Sequence, residues 1–412
     1  MECIQSVCAD ITWVGSSDRR LERFENLFPV PDGVMYNAYV IQDEKTALID
    51  TVDSSVSRQF VDNVRAALAG RPLDYIVVNH MEPDHCANID VMMTLYPDAK
   101  LVGNAKTFQF FQQFYAMNLD GRTHEVKEGD ILSLGKHSLQ FVMAPMVHWP
   151  EVMMCYDSKS KILFSADAFG SFGGYTGSNL FADQSCMLCG TIDERYLDDA
   201  RRYYSNIVGK YGSQVQAVLK KAAGLDIEII CSLHGPIWRN DLREILDKYQ
   251  HWSRYIPEKQ GVIIAYASMY GNTEEAAIAL ANELAQRGIA DISVYDISKT
   301  HASYIIADVF KYSHVVLAAP TYNMGLYYPM HSLIHEMAAL NIQDRDVAII
   351  GNGTWAPAST RIMKEMLAEM KNMRLVNEAI ELRSAMKPEQ QAEIRALADA
   401  LVASIAARST SL

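Results

Sequence analysis

The sequence predicts an α/β protein of two domains: a first half of mixed, largely antiparallel strands and a second half forming a five-stranded, doubly wound parallel sheet. Three observations lead there. The 412 residues exceed one ordinary core, at a prior of about 150 residues per domain. The rhythm of strands and helices changes around "SRYIPEKQ" (253–260), a polar stretch with a proline. Histidines and aspartates of the first half recur where strand-like runs stop. The expected domains are 1–256 and 257–412.

In the first half, "MYNAYVIQ" and "TALIDTVD" read as strands, a helix follows around 55–69, and "LDYIVVNH" is the next strand. β-like pieces fill 122–165, among them "HEVKEGDILSL", "HSLQFVMAP", "EVMMCYD" and "KILFSAD". Helical patterns occupy 193–222, and "DIEIICSLHG" ends a strand on a histidine. Beyond the linker, "GVIIAYAS", "ISVYDIS", "HVVLAAP", "DVAIIGN" and "AIELR" alternate with helices at 273–287, 302–310, 329–340, 358–371 and 388–407. Such alternation builds a parallel sheet whose ligands sit beyond the carboxyl ends of the strands.

Composition narrows the function. A formal net charge of -13 argues against a nucleic-acid partner, because phosphate binding needs concentrated Lys and Arg. The pairs Arg201-Arg202 and Lys220-Lys221 read as solvated helix faces. No apolar run is long enough to span a membrane, and "MECIQSVCADITWVG" lacks the pattern of a signal peptide. The expected location is the cytoplasm. Seven irregularly spaced cysteines do not suit a disulfide framework. Cys186 and Cys189 in "CMLCG" form half of a metal knuckle, but no second Cys-x-x-Cys exists, so the pair reads as buried or redox-idle.

The chemistry concentrates in "NHMEPDHCANID" (79–90), which places His80, Glu82, Asp84 and His85 within six positions. His148 in "APMVHWPE", Asp167 in "LFSADAFG" and His234 in "CSLHGP" also end strand-like runs. Singly, each is more often a cap or a core residue. Together they make four histidines and three carboxylates on strand-end loops, where rigid backbone can gather ligands. Seven ligands exceed the four that one zinc takes, so two metals bridged by Asp167 are the natural reading. The carboxylate content favours iron or manganese over zinc. His124, His137, His251, His301, His314, His331 and His335 lie in no such setting and read as structural or surface residues.

"HMEPDH" with His148, Asp167 and His234 resembles the metallo-β-lactamase-type fold, an αββα sandwich whose hydrolytic members usually show His-x-His-x-Asp-His. Glu82 replaces the second histidine, and that replacement resembles the flavodiiron proteins (A-type flavoproteins). The gaps of 62 residues between His85 and His148 and 18 between His148 and Asp167 are similar to theirs. The resemblance implies that His80, Glu82 and His148 bind one iron, that Asp84, His85 and His234 bind the other, and that Asp167 bridges them. His85 is the least secure ligand.

In the second half, "ASMYGNTEEAA" links the first strand to its helix; hydroxyls, an amide and a helix N-terminus suit an anion, and no lysine follows the glycine as in nucleotide hydrolases. "APTYNMG" (319–325) and "GNGTWAP" (351–357) each add Gly, Asn, Thr and one aromatic, where a flat ring can be sandwiched. The three loops resemble those of flavodoxin. That resemblance implies FMN held by Ser268, Met269, Tyr270, Gly271, Asn272 and Thr273 around the phosphate. Pro320, Thr321, Tyr322, Asn323, Gly325, Asn352, Gly353, Thr354 and Trp355 would surround the ring. "SMYGNT" departs from flavodoxin in lacking a second threonine.

The family resemblance implies an oxidoreductase that reduces O2 to water or NO to N2O at two irons, re-reduced by FMN. It implies a head-to-tail homodimer or a dimer of dimers. The chain ends at "AARSTSL" without a rubredoxin or flavin reductase module, so a separate donor such as rubredoxin is expected. Tyr196 is the candidate to give a proton or hydrogen bond to the bound oxidant. The alternatives are a zinc-dependent hydrolase fused to a flavodoxin-like electron-transfer domain, and an electron carrier with an inert first domain.

Overall fold

A computed structural model describes residues 2–184 and 194–409. The Cys186/Cys189 motif lies outside the described residues. The chain divides into two compact units, Met1–Gln250 and His251–Leu412.

The first unit contains two sheets. One has seven strands in the order Gln5–Cys8, Ile11–Trp13, Tyr39–Gln42, Thr46–Ile49, Tyr75–Val77, Lys100–Gly103 and Thr123–Glu125. Its first four strands are antiparallel, and the last three join in parallel. The other has six strands: Ile131–Ser133, Ser138–Met143, Met153–Asp157, Ile162–Phe164, Ile229–Cys231 and Trp238–Arg239. Within it only Ile162–Phe164 and Ile229–Cys231 run parallel. A hydrophobic core lies between the sheets, with Trp13, Tyr39, Ile41, Ile49 and Val77 from one side and Leu139, Phe141, Met153 and Phe164 from the other.

Edge strands alternate in burial, as in Ile131–Ser133, whereas Thr46–Ile49 and Met153–Asp157 are buried throughout. Strands covered on both faces need such continuous burial. Helix Ser57–Leu68 supplies one cover, turning Phe60, Val64 and Leu68 inward. Arg201 and Arg202 correct the sequence reading, because both are buried. Arg202 donates to the Pro29 carbonyl at 2.6 Å and lies over the Phe172 ring. The guanidinium's flat face packs on an aromatic while its edge meets a carbonyl, so burial leaves it partnered.

The second unit is a parallel sheet in the order Ile292–Asp296, Lys259–Tyr266, Tyr312–Tyr322, Asp346–Asn352 and Arg374–Leu375. Ile380–Leu382 also pairs in parallel with Asp346–Asn352, so the fifth strand is interrupted. Helices Asn272–Gln286 and Pro388–Ser409 share one core with Val262, Ile264, Val316 and Ile350. Ile263, Val315, Leu317 and Ile349, on the opposite face, are equally buried. This is the flavodoxin-like winding, and its ligand loops follow Tyr266, Tyr322 and Asn352.

Candidate functional site

The first cluster begins at Asp50, just past Thr46–Ile49. Its carboxylate accepts Asn79 N–H at 2.7 Å and Asn79 Nδ2 at 2.8 Å, tying down the chain as it leaves Tyr75–Val77. Burial pushes the Asp50 carboxyl up to about 6, against hydrogen bonds from Asn79. The short helix Pro83–Cys86 then carries Asp84 and His85, with Glu82 as its N-cap and proline at its first turn. Asp50, Met146, Ala166 and Phe169 all have left-handed backbone. Such strain, about 1–3 kcal/mol per residue, gathers where structure holds a site in place.

The seven sequence-predicted ligands meet in two groups, His80, Glu82, His148 and Asp167, and Asp84, His85 and His234. In the first, Glu82 Oε2 lies 3.2 Å from His80 Nε2 and 3.1 Å from His148 Nε2. Asp167 Oδ2 lies 3.1 Å from His148 Nε2. Its other oxygen, Oδ1, lies 3.2 Å from His85 Nε2. Asp84 Oδ2 is 3.4 Å from His85 Nε2 and 3.3 Å from His234 Nε2. Asp167 thus turns one oxygen toward each group.

Charge balance within the cluster is internal. Burial alone would raise the Glu82 and Asp167 carboxyls, yet the facing histidines hold both well below the usual range. Burial would lower the His148 imidazole, but Asp167 and Glu82 push it up to about 9. Asp84 Oδ1 and Oδ2 and Asp167 Oδ1 are buried without a hydrogen-bond partner among the described residues. Buried carboxylate oxygens without a hydrogen bond are costly, and a pair of cations would satisfy them. The residues therefore fit a two-metal centre.

Sequence reasoning missed three neighbours. Glu151 accepts from His80 Nδ1 at 2.7 Å. Tyr203 is fully buried, with its ring 5.3 Å from that of His234 and its hydroxyl unpartnered among the described residues. Tyr196 is half-buried on the same helix, Glu194–Tyr203, seven residues earlier. Glu25, at a hairpin tip, feels the cluster: burial and the charge of Glu82 push its carboxyl up to about 7.

In the second unit a cavity of about 540 Å³ opens beyond the strand ends. Ser268, Met269, Tyr270, Asn272, Thr273, Pro320, Thr321, Tyr322, Asn323, Asn352, Gly353, Thr354 and Trp355 line it, joined by Met324, Ala356 and Ser384. Of the predicted set, Gly271 and Gly325 are not in the lining; Gly271 supplies the left-handed N-cap of the first helix, and Gly325 pairs with Tyr322. At Gly353 a side chain would press within 2.7 Å of Pro357. Asn352 and Ser384 exchange two hydrogen bonds of 3.0 Å, closing the cavity floor. Tyr322 and Trp355 expose rings at its mouth. A flat, anionic-tailed ligand fits this cradle.

Comparison with known proteins follows the same division. Residues 34–235 match the ODP family beta lactamase model, and residues 264–396 match flavodoxin. The structure is similar to the flavodiiron protein of Giardia intestinalis, with 23% identity, 98% of each chain covered and a TM-score of 0.90. It is also similar to the rubredoxin oxygen:oxidoreductase of Desulfovibrio gigas, at 25% identity, 98% and 99% coverage and a TM-score of 0.90. An anaerobic nitric oxide reductase flavorubredoxin of Klebsiella pneumoniae is 31% identical over 358 residues, covering 84% of this chain and 71% of that protein.

The chain belongs to the flavodiiron protein family. It is therefore an oxidoreductase whose first unit has the metallo-β-lactamase-like fold and whose second is flavodoxin-like. The flavodoxin-like unit implies FMN, and flavodiiron relatives carry a di-iron centre. No described helix is long and apolar enough to cross a membrane.

Proposed function

We propose that this flavodiiron protein reduces O2 to water, NO to N2O, or both, with the seven clustered residues holding two irons and the three-loop cavity holding FMN. The carrying observation is Asp167, whose two oxygens face two groups that each supply two histidines and one carboxylate. When bound, FMN and the two irons supply storage for two pairs of electrons and open positions for a diatomic oxidant. His80, Glu82 and His148 would hold one iron, and Asp84, His85 and His234 the other.

The chain's own side chains supply the rest. Burial first, and then the charges of Asp167 and Asp84, raise the Tyr203 hydroxyl well above its ordinary range. It stays protonated and can donate to an oxidant bound near His234, the role first assigned to Tyr196. Trp355, Tyr270 and Met324 stand exposed at the flavin cavity, which supports a docking face there. We include in the proposal a rubredoxin-type donor and a head-to-tail homodimer.

Metal analysis of protein purified without added metal tests the centre: about two zinc per chain and no iron would sink the reading. Anaerobic turnover with reduced rubredoxin, on O2 and on NO separately, then tests the reaction and its preferred oxidant.

A further inference from the structure

The two metal positions have matching ligand sets but different support behind them. Each has two histidines, one carboxylate and one oxygen of Asp167. Behind His80, Nδ1 donates to Glu151 Oε1 at 2.7 Å, and both side chains are wholly buried. Behind His234, Nδ1 donates to the neutral Met35 carbonyl at 2.9 Å. His85 Nδ1 is buried with no hydrogen-bond partner among the described residues.

Glu151 is held for this contact. Its Oε1 also accepts Met81 N–H at 2.9 Å, and Asn104 Nδ2 donates to its main-chain carbonyl at 2.6 Å. Among the described residues its only ion-pair partner is His80. Oε2 has no hydrogen bond there, so the side chain's polar contacts are spent on His80 and the residue after it. A carboxylate behind a ligating imidazole fixes its tautomer and increases electron donation to the metal more than a neutral carbonyl does.

We propose that Glu151 is a positioning residue that locks His80 with Nε2 toward Glu82 and Asp167 and makes this the tighter of the two metal positions. It also makes this position the one whose oxidised form is more favoured. The inference rests on the di-iron reading.

The test uses the full-length, iron-loaded protein. Glu151→Gln keeps an oxygen acceptor for His80 and Met81 and removes the charge. One of the two irons should then leave to a chelator about 10- to 100-fold more readily, and a redox titration followed by EPR should show a raised midpoint potential. Glu151→Asp, which keeps the charge, should return both readouts toward those of the unaltered protein. A Glu151→Gln protein with unchanged iron retention and potential would overturn the inference, since geometry alone would then suffice.

Should Glu151→Gln not fold, the unaltered protein decides. After partial chelation, anomalous diffraction should find the remaining iron beside His80, Glu82 and His148. Remaining iron beside Asp84, His85 and His234 would overturn the inference. Unaltered protein without any iron would instead refute the di-iron reading.

Discussion

His85 Nε2 and His234 Nε2 lie 2.9 Å apart. A neutral imidazole has one donor and one acceptor nitrogen. His234 gives its Nδ1 hydrogen to Met35, so its Nε2 presents a lone pair. His85 Nε2 faces the same space and two carboxylate oxygens. One Nε2–H of His85 can serve only one of these acceptors, whereas a cation would satisfy them together.

The two rings are unequally anchored, which gives the first prediction. His234 is fixed by Met35 and by ring contacts with Phe24, Tyr36 and Tyr203, whereas His85 Nδ1 has no hydrogen bond among the described residues. His234→Ala should therefore lower iron retention at its position by about tenfold more than His85→Ala, on the scale of losing an oriented ligand. Iron counts per chain after dialysis against a weak chelator would show it; equal losses would contradict the anchoring argument.

Proton competition gives the second. Without metal, Asp167 and Glu82 push His148 up to about 9 against the effect of burial, and His80 is raised as well. Ligating rings must be neutral, so bound protons must leave as iron enters. The sign follows: affinity rises with pH at least to about 9, where His148 loses its proton, and falls on acidification. Each ring displaced contributes about a factor of ten per pH unit below its pKa. Calorimetry of Fe(II) uptake at pH 7 in buffers of different ionisation enthalpy should detect proton release; none released would defeat the prediction.

The clustering of the seven candidate residues was legible because four of them fall within six positions and the others end strands, a pattern that chemistry restricts. Glu151 stood in the quoted "APMVHWPE" but carried no periodic or spacing signal, since its role depends on a neighbour 71 residues away. Tyr203 shares a helix with Tyr196, and its place against His234 precedes a π-helical turn, Tyr204–Val208, that apolar periodicity does not reveal. In the second unit, helices expected at 273–287 and 329–340 are found at Asn272–Gln286 and Tyr328–Ala339. In the first of these the buried positions, Thr273, Ala276, Ala277, Leu280 and Leu284, recur at helical spacing between strand-like runs. Gln5–Cys8 and Ile11–Trp13 escaped notice because three- or four-residue strands of mixed polarity offer too few alternations.

The flavin cavity yields the third prediction. Asn352 is buried and ties together three loops through Ser384 and, at 3.3 Å, Thr273. The Trp355 ring, 84% exposed, contributes only a face to the mouth. Asn352→Ala removes these three hydrogen bonds, at about 1 kcal/mol net each, and the loosened loops should weaken FMN binding about 10- to 30-fold. Trp355→Ala should cost about 1 kcal/mol of ring contact. Flavin titration by fluorescence quenching would rank the two variants. Unchanged flavin content in both after gel filtration would contradict the assignment of this cavity.

The last prediction concerns stability in the flavodoxin-like unit. His314 is fully buried on Tyr312–Tyr322, its ring nitrogens meeting Ser313 Oγ at 2.7 Å and Ser404 Oγ at 3.0 Å. Burial, reinforced by Arg408 and Arg374 and opposed by Asp346, pushes its imidazole down to about 4. The unfolded chain takes up this proton near pH 6.5, so between about 6.5 and 4 the unfolded state binds more protons than the folded one. Stability from this residue is therefore complete above about pH 6.5 and is lost as pH falls toward 4. Between pH 7.5 and 5 the loss is up to about 2 kcal/mol. In His314→Gln that share of the pH dependence should vanish, leaving a flatter profile from urea unfolding at the two pH values. An equally steep decline in the variant would show that other groups cause it.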